Sequence, residues 1–297
     1  MKLLRYFDHD SAYVKLGLVD EEKILDVTEV TGLTDPTELF WLKDEKAILG
    51  IIRKNASVVE KEKIKLRCPI KRCTKFIIVG LNYRAHAKEM QMEQPKEPLC
   101  SNKQTSCLSF CDQPILLPLG VNTLDYEGEI AVVIGRQCRN VEVSEVRNYI
   151  LGITAANDIS VRQWQFVSPT WTLGKSYDTH GPIGPTVVTL DEIPSLDNLS
   201  LRTYVNGELR QMAQASDMIF SIFDVVSYVS KRTTLLPGDI IATGTPPGVG
   251  NSFDPPKYLN IGDEVKVELD VVGTLCNYVV SEQDNTKAVI RIDHPGW

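Results

Sequence analysis

Apolar positions in this chain fall mostly in short β-branched runs ended by Gly, Pro or Asn, rather than in long stripes of helical period. Such runs at residues 75–80, 115–117, 125–135, 152–157, 186–190, 201–205, 240–243, 264–269 and 274–280 predict the strands of a mainly antiparallel architecture. Val205-Asn206-Gly207-Glu208 predicts a tight hairpin, because Asn-Gly accepts the positive φ angles of a type I′ turn. One amphipathic helix is expected over 217–230, with Met218, Ile222, Val225, Val226 and Val229 on one face and Ser216 as N-cap.

Before residue 71 the pattern is weaker. Apolar runs at 13–19 and 23–27 and a mixed helical stretch at 37–54 describe a small α+β appendage, ended by the charged, proline-terminated segment 61–69. The predicted class is α+β, mainly β, with a small N-terminal domain over 1–70 and a larger domain over 71–297. Inside the larger domain the segment 86–113 turns polar and rich in Pro, Gln, Lys and Ser from residue 89. That composition predicts an active-site lid or a disordered loop. Residues 282–297 read as a C-terminal tail.

Composition narrows the function. With 43% apolar and 24% charged residues the chain is ordinary globular material, and no stretch nears the roughly 20 apolar residues of a membrane span. A net charge of -7, without clustered Lys and Arg, speaks against nucleic acid or an anionic membrane as partner and for a small-molecule substrate. The opening residues lack an apolar signal core and turn acidic early, so a cytoplasmic protein is expected, with mitochondrial import as the alternative. Seven cysteines without a Cys-x-x-Cys pair suggest free thiols. Cys100, Cys107 and Cys111 have neither a nearby His nor a finger spacing to support zinc.

The chemistry concentrates in acidic positions. In Asp125-Tyr-Glu127-Gly-Glu129-Ile-Ala131-Val-Val133, a strand period of two puts both glutamates on the face of Ala131 and Val133. Like charges in a dry place need a proton or a cation, whereas a solvated strand edge would need neither. A third carboxylate, Asp158, stands where the apolar run ending at Asn157 stops; alone it would serve equally as a helix cap. Three oxygen donors without His or Cys suit a hard cation, Mg²⁺ first, with Mn²⁺ or Ca²⁺ next.

His86 and Glu89 would share one face of a helical turn, the pairing of a general base with its orienting carboxylate or of a surface ion pair. Lys175, between rigid turns, suits either a substrate carboxylate or a bridge to Asp178. Residues 236–250 run from a strand into a loop rich in Gly and Pro, which includes Gly244 and Thr245 and lets backbone N–H groups approach a ligand.

Five segments, in this order, together resemble the fumarylacetoacetate hydrolase family. They are Gly-Leu-Asn-Tyr-x-x-His-x-x-Glu (80–89), Asp-Tyr-Glu-Gly-Glu (125–129), Ala-Asn-Asp-Ile-Ser-x-Arg (156–162), Gly-Lys-Ser-Tyr-Asp-Thr (174–179) and Pro-Gly-Asp-Ile-Ile-x-Thr-Gly-Thr-Pro-x-Gly-Val-Gly (237–250). Arg162-Gln-Trp-Gln165 with Trp171-Thr-Leu-Gly-Lys175 is most similar to the animal domain-containing protein 2 group of that family. The resemblance implies a mixed β-sandwich roll, a homodimer, and Mg²⁺ on Glu127, Glu129 and Asp158. It also implies a His86–Glu89 dyad on a lid, with Lys175 as a further catalytic group. Tyr83, Lys103, Arg162, Gln165, Gly244 and Thr245 would bind substrate. Two positions depart from the family: Pro98-Leu-Cys-Ser-Asn-Lys103 keeps only the lysine of the usual Phe-rich lid run, and His180-Gly181 replaces the usual aromatic or Cys.

The expected substrate is a small 2-oxo acid and the expected chemistry enolate formation at C3. Oxaloacetate keto-enol tautomerisation leads, ahead of acylpyruvate C–C hydrolysis and oxaloacetate decarboxylation. A catalytically silent 2-oxo acid binder is the reading from another class.

Overall fold

The computed structural model describes residues 1–8, 13–40, 42 and 45–283. The expected C-terminal tail lies outside the described residues from 284 onward.

Among the described residues, twelve strands form the main sheet. They are β1 (Lys2–Asp8), β2 (Val14–Asp20), β3 (Lys23–Asp26), β4 (Val58–Val59), β5 (Ile64–Arg67), β6 (Phe76–Gly80), β7 (Leu99–Lys103), β8 (Leu108–Phe110), β11 (Gly128–Ile134), β12 (Ile150–Asn157), β14 (Gly181–Val188) and β17 (Ile240–Ala242). Their order is β4-β3-β2-β1-β14-β12-β11-β17-β6-β7, with β5 beside β1 and β8 beside β14. A second sheet, ordered β16-β15-β18-β19-β9, comprises β9 (Ile115–Leu117), β15 (Ser200–Val205), β16 (Glu208–Gln214), β18 (Glu264–Leu269) and β19 (Gly273–Ser281). A two-stranded ladder joins β10 (Leu124–Asp125) to β13 (Ser160–Val161). Most pairings are antiparallel; β8·β14, β6·β17 and β9·β19 are parallel. The expected α+β, mainly β class is the observed one.

The hydrophobic pattern accounts for the layering. β11 and β12 are buried at every position, so both faces must be covered, and their sequences are correspondingly near-continuous apolar runs. The period of two sends Ile130, Val132 and Ile134 into the layer between the sheets, against Leu201, Val267 and Leu275 and the helix α6 (Ile222–Ser230). Ala131 and Val133 go to the other face, with Ile78, Ile240 and Phe110. β15 and β18 alternate buried with half-buried positions, as strands covered on one side do. The N-terminal segment has its own apolar centre, which includes Leu3, Leu16, Leu18, Leu39, Ile52 and, from the short helix α1 (Val27–Thr31), Val27. It is also stitched to the main sheet, Lys2 and Leu3 of β1 pairing with Val188 and Val187 of β14.

Several elements differ from the sequence pattern. The expected strand 125–135 breaks at Tyr126 and Glu127, because the Asp125 carboxylate accepts N–H groups of Tyr126, Gly250 and Asn251 and pulls the chain out of the ladder. The helix expected from 217 starts at Ile222, capped by Ser221 and Asp224 rather than Ser216. Asn82 explains the delay: its backbone carbonyl takes the Ile219 N–H and its side-chain carbonyl the Phe220 N–H, which keeps 219 and 220 out of the helix. The expected 37–54 helix is two, α2 (Pro36–Leu39) and α3 (Glu45–Asn55). The polar stretch after Glu89 is not structureless, for it supplies β7 and β8. β7 pairs with β6 over its whole length as a border strand of the main sheet, where polar side chains belong.

Candidate active site

Three breaks in regular structure converge beside the end of β11. The first is the Tyr126–Glu127 kink between β10 and β11. The second is the exit of β12 at Asn157, where the Asn157 side chain accepts the Glu127 N–H at 3.0 Å and Glu127 O accepts the Asp158 N–H at 2.8 Å. These two bonds fix Glu127 and Asp158 side by side. The third is the loop after β17, which approaches Glu129 of β11, Gly244 donating its N–H to Glu129 Oε2 at 2.8 Å. Ligand atoms of Glu127, Glu129 and Asp158 all lie within 4.8 Å of one another, and all three residues are buried.

Cations surround two of the three acids. Lys175 Nζ sits 2.6 Å from Glu127 Oε2 and 2.7 Å from Asp158 Oδ2, not on Asp178. Lys103 Nζ lies 2.6 Å from Asp158 Oδ1. Arg162 opens the short helix α5 (Arg162–Gln165). Its Nε donates to Asp125 Oδ2 at 2.8 Å and its Nη1 lies 2.6 Å from Glu127 Oε1. Asp158 therefore caps no helix; α5 has no side-chain cap.

The charges do not balance. Among the described residues, the cations paired with Asp125, Glu127, Glu129 and Asp158 are Arg162, Lys175 and Lys103, and the acid without one is Glu129, which accepts the Gly244 N–H. Burial pulls the Glu127 carboxyl upward, but Lys175 and Arg162 overcome it and leave it lowered to about 2. Burial raises Glu129 well above the carboxylate range, and Asp158 and Glu127 push it further the same way. Burial disfavours the Lys175 ammonium, yet Asp158 and Glu127 more than restore it. A buried acid with no positive partner, its carboxyl pushed upward by burial and by two neighbouring acids, is the feature a divalent cation would satisfy. The donor set, three carboxylates with no His or Cys, is that of a hard cation, so residues and ion fit.

The trio opens into a cavity of about 220 Å³ that is also lined by His86, Lys175, Arg162, Gln165 and Thr245. His86 belongs to the helix α4 (Arg84–Glu89), and its Nδ1 is 2.9 Å from Glu89 Oε2. Burial works against the Glu89 charge, but His86, the Ser252 hydroxyl and the Gly248 N–H outweigh it and hold the carboxyl below its ordinary value. With Glu89 ionised, Nδ1 carries the ring proton and Nε2 is left as the basic nitrogen. Gln165 accepts from Arg162 Nη1 through its Oε1 at 2.8 Å, so its NH₂ remains to meet a ligand. Thr245 donates to Gly128 O and accepts from Gln211 Nε2.

Not every residue named from sequence lines the cavity. Tyr83 is buried outside it with its hydroxyl unpaired; burial and then Glu129 push that phenol well above its usual value. Lys103 lies beneath Asp158, and Gly244 acts through Glu129. Sequence reasoning missed the anchoring role of Asp125 and the support of Glu89 by Gly248 and Ser252. The signal for Asp125 was its place two residues before Glu127, and its partner was Arg162. The cysteines are all free thiols, and the acidic trio is the metal-competent cluster among the described residues.

Gly174 lets two site elements meet. A Cβ there would lie 2.3 Å from Gln165 N and 2.5 Å from its Cα, so the turn 172–175 packs directly on α5. Gly174→Ala is expected to cost about 1–3 kcal/mol of stability and to displace Lys175 from Glu127 and Asp158. Thermal unfolding and turnover, measured on the same preparation, check both effects.

The family model described as "Fumarylacetoacetate (FAA) hydrolase C-terminal" matches residues 75–280. The rat mitochondrial oxaloacetate tautomerase Fahd2a is 36% identical over 262 residues, covering 86% of this chain and 84% of that protein. The Dictyostelium discoideum fumarylacetoacetate hydrolase domain-containing protein 2 homolog is 42% identical over 229 residues, covering 73% and 75%. Among solved structures, the fumarylacetoacetate hydrolase of Exiguobacterium antarcticum superimposes with a TM-score of 0.83 at 30% identity, over 95% of this chain and 99% of that one. Maleylpyruvate hydrolase from Sphingobium sp. SYK-6, solved with manganese(II) and pyruvate, gives a TM-score of 0.78 at 30% identity over the same shares. With five ordered motifs, the sandwich of two sheets and the acidic trio agreeing with these likenesses, the chain belongs to the fumarylacetoacetate hydrolase family.

Proposed function

We propose that this protein is a divalent-metal-dependent, Mg²⁺-preferring enzyme that enolises small 2-oxo acids, with oxaloacetate keto-enol tautomerisation as its reaction. The observation that carries this reading is the unmatched buried acid beside a carboxylate-oriented histidine in one cavity. A cation held by Glu127, Glu129 and Asp158 would supply Lewis-acid stabilisation of the negative charge that enolisation develops. The chain's own residues do the rest. His86 Nε2, with Glu89 fixing the tautomer, takes a proton from C3 or returns it there. The Gln165 NH₂ and the Lys175 ammonium orient the substrate's carboxylate. Arg162, clamped by Asp125, keeps Glu127 ionised for its ligand role. The relatives named as oxaloacetate tautomerases favour tautomerisation over the hydrolyses named for other neighbours.

The test titrates Mg²⁺ into the metal-free protein and follows the decay of enol-oxaloacetate beside acetylpyruvate cleavage. Metal-dependent enol decay that outpaces cleavage is the expected result. Faster cleavage would reassign the protein as an acylpyruvate hydrolase, and activity on neither would overturn the proposal.

A further inference from the structure

The cavity has a second character that a four-carbon dicarboxylate leaves unused. Beyond the charged group its wall includes Gly80, Leu81, Met90, Met92, Phe166 and Trp171. Trp171 lies across Gly80 so closely that a Cβ there would be 2.7 Å from its ring, so the indole packs directly on the Gly80 backbone as part of the wall. Phe166 is 64% exposed and Met92 51%, so an aromatic ring and a thioether stand open to solvent at the cavity. Large apolar groups left in water at a cavity wall gain by being covered.

The cations decide what can cover them. The arginine and lysine lining the cavity each pair with two protein carboxylates, Arg162 with Asp125 and Glu127, and Lys175 with Glu127 and Asp158, which leaves Lys175 one N–H for a substrate head. Once the head of a 2-oxo acid has taken Gln165 and Lys175, a second carboxylate would lie against thioethers and aromatic rings with no cavity-lining cation left to pair with it. An aryl group meets the same surface by stacking on Trp171 and Phe166 and by contact with methionine sulfur.

We propose that the site takes pyruvates carrying an aromatic or other large apolar group on C3, at least as well as it takes oxaloacetate. This rests on the enolisation reading and extends it to a further substrate class. The step is an isomerisation. The C3–H bond breaks toward His86 Nε2, its electron pair forms the C2=C3 double bond, and the carbonyl π pair moves to oxygen, which takes a proton from water while His86 Nε2 returns its own to the hydroxide left there. No oxidant or co-reactant is needed.

The experiment compares phenylpyruvate with oxaloacetate as enol substrates at saturating Mg²⁺. Beside it, calorimetry compares binding of the unreactive 2-hydroxy acids 3-phenyllactate and malate. The expected results are a kcat/KM for phenylpyruvate that equals or exceeds that for oxaloacetate, and at least tenfold tighter binding of 3-phenyllactate. Met92→Arg and Phe166→Arg, both at exposed positions where the new guanidinium reaches solvent, should each move both ratios about tenfold toward the dicarboxylate without changing thermal unfolding. Turnover of oxaloacetate but not phenylpyruvate, or malate binding as tightly as 3-phenyllactate, overturns the apolar arm and leaves the reaction standing. Turnover of neither overturns the reaction, and the binding ratio then decides the arm by itself.

Discussion

His86→Ala is expected to lower turnover of enol-oxaloacetate by about 10²–10⁴-fold, the range for loss of a positioned general base. Binding of malate should stay within a few-fold of wild type. The reasoning is local. Nδ1 is bound to Glu89, which two further donors, the Gly248 N–H and the Ser252 hydroxyl, hold in place. The ring therefore has one orientation and one basic nitrogen, and no other described histidine lines the cavity. The second described histidine, His180, is fully buried; its Nε2 lies 2.8 Å from Leu116 O, and burial lowers it to about 3, so it is no substitute. Single-turnover kinetics on the metal-loaded variant, with calorimetry of malate, separates the loss of proton transfer from a loss of binding. Unchanged turnover would remove His86 from the mechanism. A wild-type protein with no turnover on any 2-oxo acid, whose malate affinity the variant keeps, would instead mark a silent binder.

The positions of the acids were legible in the sequence, while the way they are held was not. A period of two and the end of an apolar run were enough to single out Glu127, Glu129 and Asp158, because strand periodicity and burial are properties of neighbouring residues. Their cations come from far along the chain: Lys103 is 55 residues from Asp158 and Lys175 is 48 from Glu127. No local pattern reports such a pairing, which is why Lys175 could equally have been given to Asp178. Helix boundaries failed for a related reason. Ser216 is as good a cap as Ser221 until Asn82, 138 residues before Phe220, takes the N–H groups between them. The polar stretch after Glu89 read as a loop because border strands need little apolar surface, and pairing with β6 is invisible to composition. The apolar wall of the cavity was likewise hidden, since Gly80, Met92 and Trp171 share no segment.

Glu129→Gln separates the metal site from the fold, because its two consequences run in opposite directions. In the metal-free protein burial, Asp158 and Glu127 raise Glu129 above its unfolded value, so the native state holds a proton that the unfolded chain releases. Stability from this residue is therefore present at acid pH and falls as pH rises above the ordinary carboxylate range. Glu127 has the opposite sign: lowered to about 2 by Lys175 and Arg162 against burial, it stabilises above the ordinary range and that contribution is lost as pH falls toward 2. The two windows do not overlap, which lets the variant be read cleanly. The amide that replaces the carboxyl would keep the Gly244 N–H on its carbonyl and offer NH₂ to the neighbouring carboxylates. The metal-free variant should thus unfold harder than wild type at neutral pH and lose the decline toward neutral pH, while its acid limb is unchanged. Its affinity for Mg²⁺ or Mn²⁺ should fall at least about 100-fold, since even changes outside the ligand shell cost about 10–100-fold. Divalent cation should raise the melting temperature of wild type through mass action and leave that of the variant where it was. Chemical denaturation across about pH 3–8, with and without metal, measures every one of these effects. A variant less stable than wild type without metal, or one equally stabilised by Mg²⁺, would show that Glu129 is not the unmatched charge the cation neutralises.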